Sequence, residues 1–142
     1  MIAPDTIVKT VFFNAAPETV WSFLVERDKL AQWFHPPESD LVAGSEYRLV
    51  TTADDGAKVP LIWGRVVEMD PPRKLVTTFV ITPFKGNETT VTWVLEEAAG
   101  GTRLTLTHEG IAAAAGPAAL DMILPMDNGW DEHFADLRKA VA

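Results

Sequence analysis

The stretch TTVTWVLEEAAGGTRLTLTHEG, residues 89 to 110, reads as two β-strands joined by a tight turn, and its reading decides the fold. In each half, apolar residues alternate with others at a period of two, and Gly100-Gly101 supplies the turn between them. That period sends successive side chains to opposite faces, so Val91, Trp93 and Leu95 share one face of the first strand. In the second strand Leu104 and Leu106 face inward. His108 has their parity, whereas Glu109 goes outward with Arg103, Thr105 and Thr107. A catalytic His-Glu pair built from these sequence neighbours is therefore disfavoured.

The same pattern recurs upstream at residues 46 to 52, 61 to 70 and 74 to 81, separated by Asp54-Asp55-Gly56, Asp70-Pro71-Pro72 and Lys85-Gly86-Asn87. Such short connections imply an antiparallel meander. Residues 7 to 13 read as one further strand. Pro17 then suits the first turn of a helix carrying Val20, Trp21, Phe23 and Leu24 on one face. A second short helix, with Asp28 as N-cap, buries Leu30, Trp33 and Phe34 before Pro36-Pro37 stops it. Near the C-terminus Met126, Trp130, Phe134, Leu137 and Val141 form a helical stripe. The expectation is one α+β domain over residues 1 to 142, with about six antiparallel strands curved around a long C-terminal helix and two short helices after the first strand. The segment from 111 to 125, with a glycine and two prolines, reads as an entrance flap.

Composition narrows the functions. The chain has 142 residues, 47% of them hydrophobic and 23% charged, which is enough apolar material for one core. A net charge of -8, from 20 acidic and 12 basic residues, opposes nucleic acid and anionic lipid. The absence of cysteine removes disulfides, thiolate nucleophiles and cysteine-bound zinc. No signal peptide and no membrane-spanning run is legible, so a cytoplasmic location without membrane insertion is expected, and the Asn87-Glu88-Thr89 glycosylation pattern is set aside.

Five segments in order carry a resemblance: APETVWSFLVERDKLAQWFHP (16 to 36), GSEYRL (44 to 49), GRVVEMDPPRKLVTTF (64 to 79), the hairpin at 89 to 110, and GWDEHFADL (129 to 137). Together they resemble the START-like SRPBCC superfamily, of helix-grip fold, and within it the branch named after the activator of heat-shock-protein-90 ATPase. The resemblance implies an apolar cavity beneath the C-terminal helix, used across the superfamily for hydrophobic molecules. It does not make the branch name a function.

Candidate residues follow from both readings. Trp33, Trp63, Phe79, Trp93, Trp130 and Phe134 are candidate walls of an aromatic pocket, and Tyr47 and His108 its candidate polar groups. Trp21 reads as core. His108 either meets a ligand or is satisfied by protein partners, and the second reading leads because buried polar groups usually find such partners. If the protein is an enzyme, of polyketide cyclase or dehydratase type, His108 is its candidate acid or base. Arg48 and Arg65 read as outward salt-bridge partners, with anchoring of a ligand carboxylate as the alternative. His35, beside Pro36-Pro37, is placed on a loop at a cavity rim, and His133 flanks the apolar stripe of the C-terminal helix. No metal or cofactor is expected, because no histidine spacing of a known ligand motif occurs. Binding of a hydrophobic or amphipathic small molecule is the leading expectation. Catalysis and a co-chaperone-like protein-interaction module are its rivals, and a homodimer is compatible with a free strand edge.

Overall fold

The structure is a computed structural model and describes residues 3 to 142. Six strands form one antiparallel sheet: β1 (Ile7–Phe13), β2 (Glu46–Thr52), β3 (Lys58–Asp70), β4 (Lys74–Phe79), β5 (Thr89–Ala98) and β6 (Gly101–Glu109). Their spatial order is β1-β6-β5-β4-β3-β2, so the first strand lies beside the last and the others follow as a meander. Helices α1 (Pro17–Val25) and α2 (Arg27–Trp33) follow β1, and α3 (Ile111–Ala115) and α4 (Ala119–Val141) follow β6. This is the expected α+β arrangement.

The hairpin behaves as its alternation dictates. Val91 pairs with His108, Trp93 with Leu106 and Leu95 with Leu104, and all six side chains are buried. Glu109 is exposed. Register shifts between Leu49 and Val50 on β2, and between Val66 and Glu68 on β3, mark the bulges that bend the sheet. The bend turns its inner face around Trp130, Phe134 and Leu137, the buried residues of α4.

Three boundaries differ from the sequence reading, each for a physical reason. Strand β3 begins at Lys58 because residues 58 to 60 pair with the end of β2 before β3 meets β4, leaving Pro60 on a side where its missing N–H breaks no ladder. The N-terminus of α2 is capped by Asp40, whose Oδ1 accepts from the Arg27 amide at 2.8 Å, and not by Asp28, which lies inside the first turn. The segment expected to be a flap is helical. Gly110, at φ 86°, turns the chain out of β6, Asp5 accepts from the Ala112 amide at the start of α3, and α4 begins at Ala119 with Pro125 inside it. Pro125 removes the donor for the Asp121 carbonyl, but Asp121 is exposed and water can replace that bond.

Helix α4 is tied to the sheet unevenly. Its C-terminal half buries Trp130, Phe134 and Leu137, while residues 119 to 129 bury none. Lys9 on β1 reaches Asp127 at 2.7 Å and Asp131 at 3.0 Å. Burial opposes the Lys9 charge, but the two carboxylates outweigh it and hold its pKa above the ordinary lysine value. Among the described residues, no helix is long and apolar enough to cross a membrane.

Candidate functional site

A small cavity of about 30 Å³ lies between the sheet and the helices. The sheet supplies Tyr47, Leu75, Phe79, Val91 and Trp93, the helical layer supplies Leu24, Leu30 and Trp130, and Phe34 and Leu41 complete the wall. Apart from the indoles, the hydroxyls of Tyr47 and Thr77 are the polar groups of this lining. Burial pushes the Tyr47 phenol pKa up, against a smaller downward pull from a hydrogen bond with the Thr77 side chain, and its hydroxyl donates to the Thr78 carbonyl.

His108 sits behind Phe79 and Trp130, with ring centroids 4.7 Å and 6.0 Å away, and is fully buried. Donor counting fixes its tautomer. Trp130 Nε1 can only donate, and it lies 3.3 Å from His108 Nδ1, which must therefore accept. The Thr89 hydroxyl spends its one proton on the Phe79 carbonyl at 2.7 Å, so its oxygen accepts from His108 Nε2 at 2.8 Å. The result is a closed chain from Trp130 through His108 and Thr89 to Phe79. Burial pushes the His108 pKa down to about 3, so the ring is neutral and both nitrogens are engaged.

The aromatic candidates divide into three groups. Phe79, Trp93 and Trp130 line the cavity together with Tyr47. Trp33 and Phe134 stack on each other at 6.4 Å and meet Trp93 edge-on at 6.2 Å each, forming a layer against the cavity wall. Trp63 stands apart. It lines an open groove of about 570 Å³ together with Arg48, Arg65, Glu38 and Glu88, and Tyr47 is the wall this groove shares with the cavity. There Arg48 pairs with Glu38 at 2.9 Å and Arg65 with Glu88 at 3.3 Å, so both guanidiniums are neutralised by the chain itself.

Two further residues belong to the site and were not singled out from the sequence. Thr89 fixes the His108 tautomer, and its parity with Val91 and Trp93 on β5 was the available signal. The sequence pattern presents Phe34 only as a buried helix residue. It is half-buried just past the end of α2, and its ring touches Trp33 at 5.2 Å, His35 at 5.0 Å, Trp130 at 5.7 Å and His133 at 4.6 Å. Among the described residues, no three histidine or acidic side chains come together in a way that would hold a metal ion.

Known proteins give this geometry its context. The sequence profile described as activator of Hsp90 ATPase homolog 1-like protein matches residues 14 to 142. The chain belongs to that family. The branch resemblance legible in the five sequence segments is thereby borne out. No curated protein matches the sequence significantly. Protein MLL2253 from Mesorhizobium loti superposes with a TM-score of 0.79 at 20% identity, over 96% of each chain. DynU16, described as a protein in the dynemicin biosynthetic locus, gives 0.76 at 21% identity over 96% of this chain and 47% of its own. The Aha1 dimer from Colwellia psychrerythraea gives 0.73 at 18% identity over 99% and 96% of the two chains. At these identities the likenesses show that this member of the activator of Hsp90 ATPase homolog 1-like family shares the fold of those structures.

Proposed function

We propose that the protein binds an apolar or amphipathic small molecule between the sheet and α4, with Tyr47, Phe79, Trp93 and Trp130 as its direct contacts. Trp33, Phe134 and His108 act behind them as the layer that fixes their positions. The observation that carries this reading is the lining itself, in which apolar side chains from both layers converge on one cavity whose polar groups are the Tyr47 and Thr77 hydroxyls. The cavity of about 30 Å³ holds no more than a water molecule, so the ligand must displace part of the wall. DynU16, from a biosynthetic locus, supports a small-molecule role without identifying the molecule.

Catalysis through His108 is less well supported, because both of its nitrogens are engaged and its neutral form is strongly favoured. Native mass spectrometry of the freshly purified protein tests the binding reading. A discrete bound species lost on denaturation is expected, and failure to retain any member of a panel of apolar and amphipathic compounds would sink it. Self-association is a second part of the proposal. Strand β1 is a sheet edge with Val8 and Phe12 exposed, and a related structure is a dimer. Sedimentation equilibrium should then report a dimer that Phe12→Lys weakens, and a monomer at every concentration would remove this part.

A further inference from the structure

The lining of the cavity indicates where a ligand would pass. Phe34 and Leu41 are half-buried, while every other lining residue is buried. The wall therefore reaches solvent where these two side chains stand. Leu41 is tied to α1 through its amide, which donates to the Val25 carbonyl at 2.8 Å. Phe34 is the last residue before His35 and the rigid Pro36-Pro37 step, and Pro37 is in turn paired with Leu49 on β2. Its ring is held by packing alone, against Trp33, Trp130, His35 and His133.

Those histidines lie on different segments. His35 follows α2 and His133 is on α4, and their rings are 5.6 Å apart with Phe34 against both. We propose that Phe34 is the door of this cavity and that the His35–His133 pair is its latch, closed when both rings are neutral and released when they take up protons. The inference rests on the binding reading above.

The charged surroundings set the direction of the effect. His35 faces His133, and burial together with that neighbour pulls its pKa below the ordinary value. For His133 burial pulls the pKa down and outweighs upward pulls from the Trp33 backbone, Asp136 and Glu132. The closed arrangement thus binds protons less readily than a solvated one, so lowering the pH through the imidazole range favours the arrangement in which the two rings part. Because one ring stands on the segment after α2 and the other on α4, their separation moves Phe34 away from Trp130.

Stopped-flow binding of the uncharged probe N-phenylnaphthylamine, followed by its fluorescence at about pH 7.5 and about pH 5.5, tests both parts. The association rate is expected to rise several-fold at the lower pH. The double variant His35→Asn/His133→Gln should lose that pH dependence. Phe34→Leu should bind faster at both pH values, and Phe34→Met serves if the leucine variant does not fold. Normal binding with a rate indifferent to Phe34 substitution overturns the door. A rate that is flat with pH, or that falls on acidification, overturns the latch. No saturable binding in the wild type or in either Phe34 variant overturns the cavity reading itself, which separates the two failures.

Discussion

At the scale of single residues, His108 shows how far parity carries and where it stops. Alternation with Leu104 and Leu106 was sufficient to place it inside, and it is there with no exposed surface. Its partners, 19 and 22 residues away in sequence, depend on strand register and on the seating of α4, which no local pattern encodes. The donor chain makes two predictions. His108→Leu leaves the Trp130 indole N–H without an acceptor and should destabilise the protein by about 1–3 kcal/mol, whereas His108→Gln, which can still donate and accept, should cost less; urea unfolding at neutral pH measures both. The second concerns pH. With a folded-state pKa depressed to about 3 against an ordinary 6.5, the folded protein binds fewer protons than the unfolded one, so this contribution to stability is intact above 6.5 and is lost as pH falls toward 3. Within that window wild-type stability should fall more steeply than that of His108→Gln, the difference approaching about 1.4 kcal/mol per pH unit. His35 and His133 act in the same direction but are present in both proteins, so the comparison isolates His108. Parity also carries the signal that separates Trp63 from the cavity. It shares its face with Arg65 and not with Ile62, and accordingly it lines the outer groove instead of the cavity.

At the scale of elements, the strands were legible because one buried face imposes a strict period, and helix ends were not because their caps come from elsewhere. Asp40 and Asp5 reach their amides across 13 and 107 residues of sequence. The start of α4 was hidden for a different reason. Proline and glycine normally break helices, but Pro125 lies on an exposed stretch of α4. Gly129 tests how much these residues weaken the helix. A Cβ added there meets nothing within 4 Å, so Gly129→Ala should stabilise the protein by about 0.5–1 kcal/mol through the smaller conformational entropy of its unfolded chain. Gly64 is the opposite case, since its Cβ would collide with the carbonyl and hydroxyl of Thr78, where β3 passes β4. Gly64→Ala should therefore lower the melting temperature, and thermal unfolding followed by circular dichroism should separate the two alanine variants by sign.

At the scale of the whole molecule, the sequence announced a sheet around a helix and an aromatic interior but not the space left between them. Volume is what remains after every side chain is seated, and here Trp33, Trp93, Trp130 and Phe134 pack against one another so fully that about 30 Å³ remains. A molecule of this kind accepts an apolar ligand only where its wall can yield, and that makes the cavity testable by enlarging it. Leu75, a fully buried residue of the lining, is the position to cut back. Leu75→Ala should cost about 2–5 kcal/mol, from lost burial and from the void it adds to an existing one. If the enlarged space is dry and apolar, benzene or N-phenylnaphthylamine should raise the melting temperature of Leu75→Ala more than that of the wild type, since ligand bound to the folded state alone stabilises it in proportion to the logarithm of its concentration over Kd. A Leu75→Ala protein that is destabilised as expected but gains nothing from either compound would mean that the wall collapses into the gap or that water fills it. The pocket would then be a packing defect of the fold, with no role in binding.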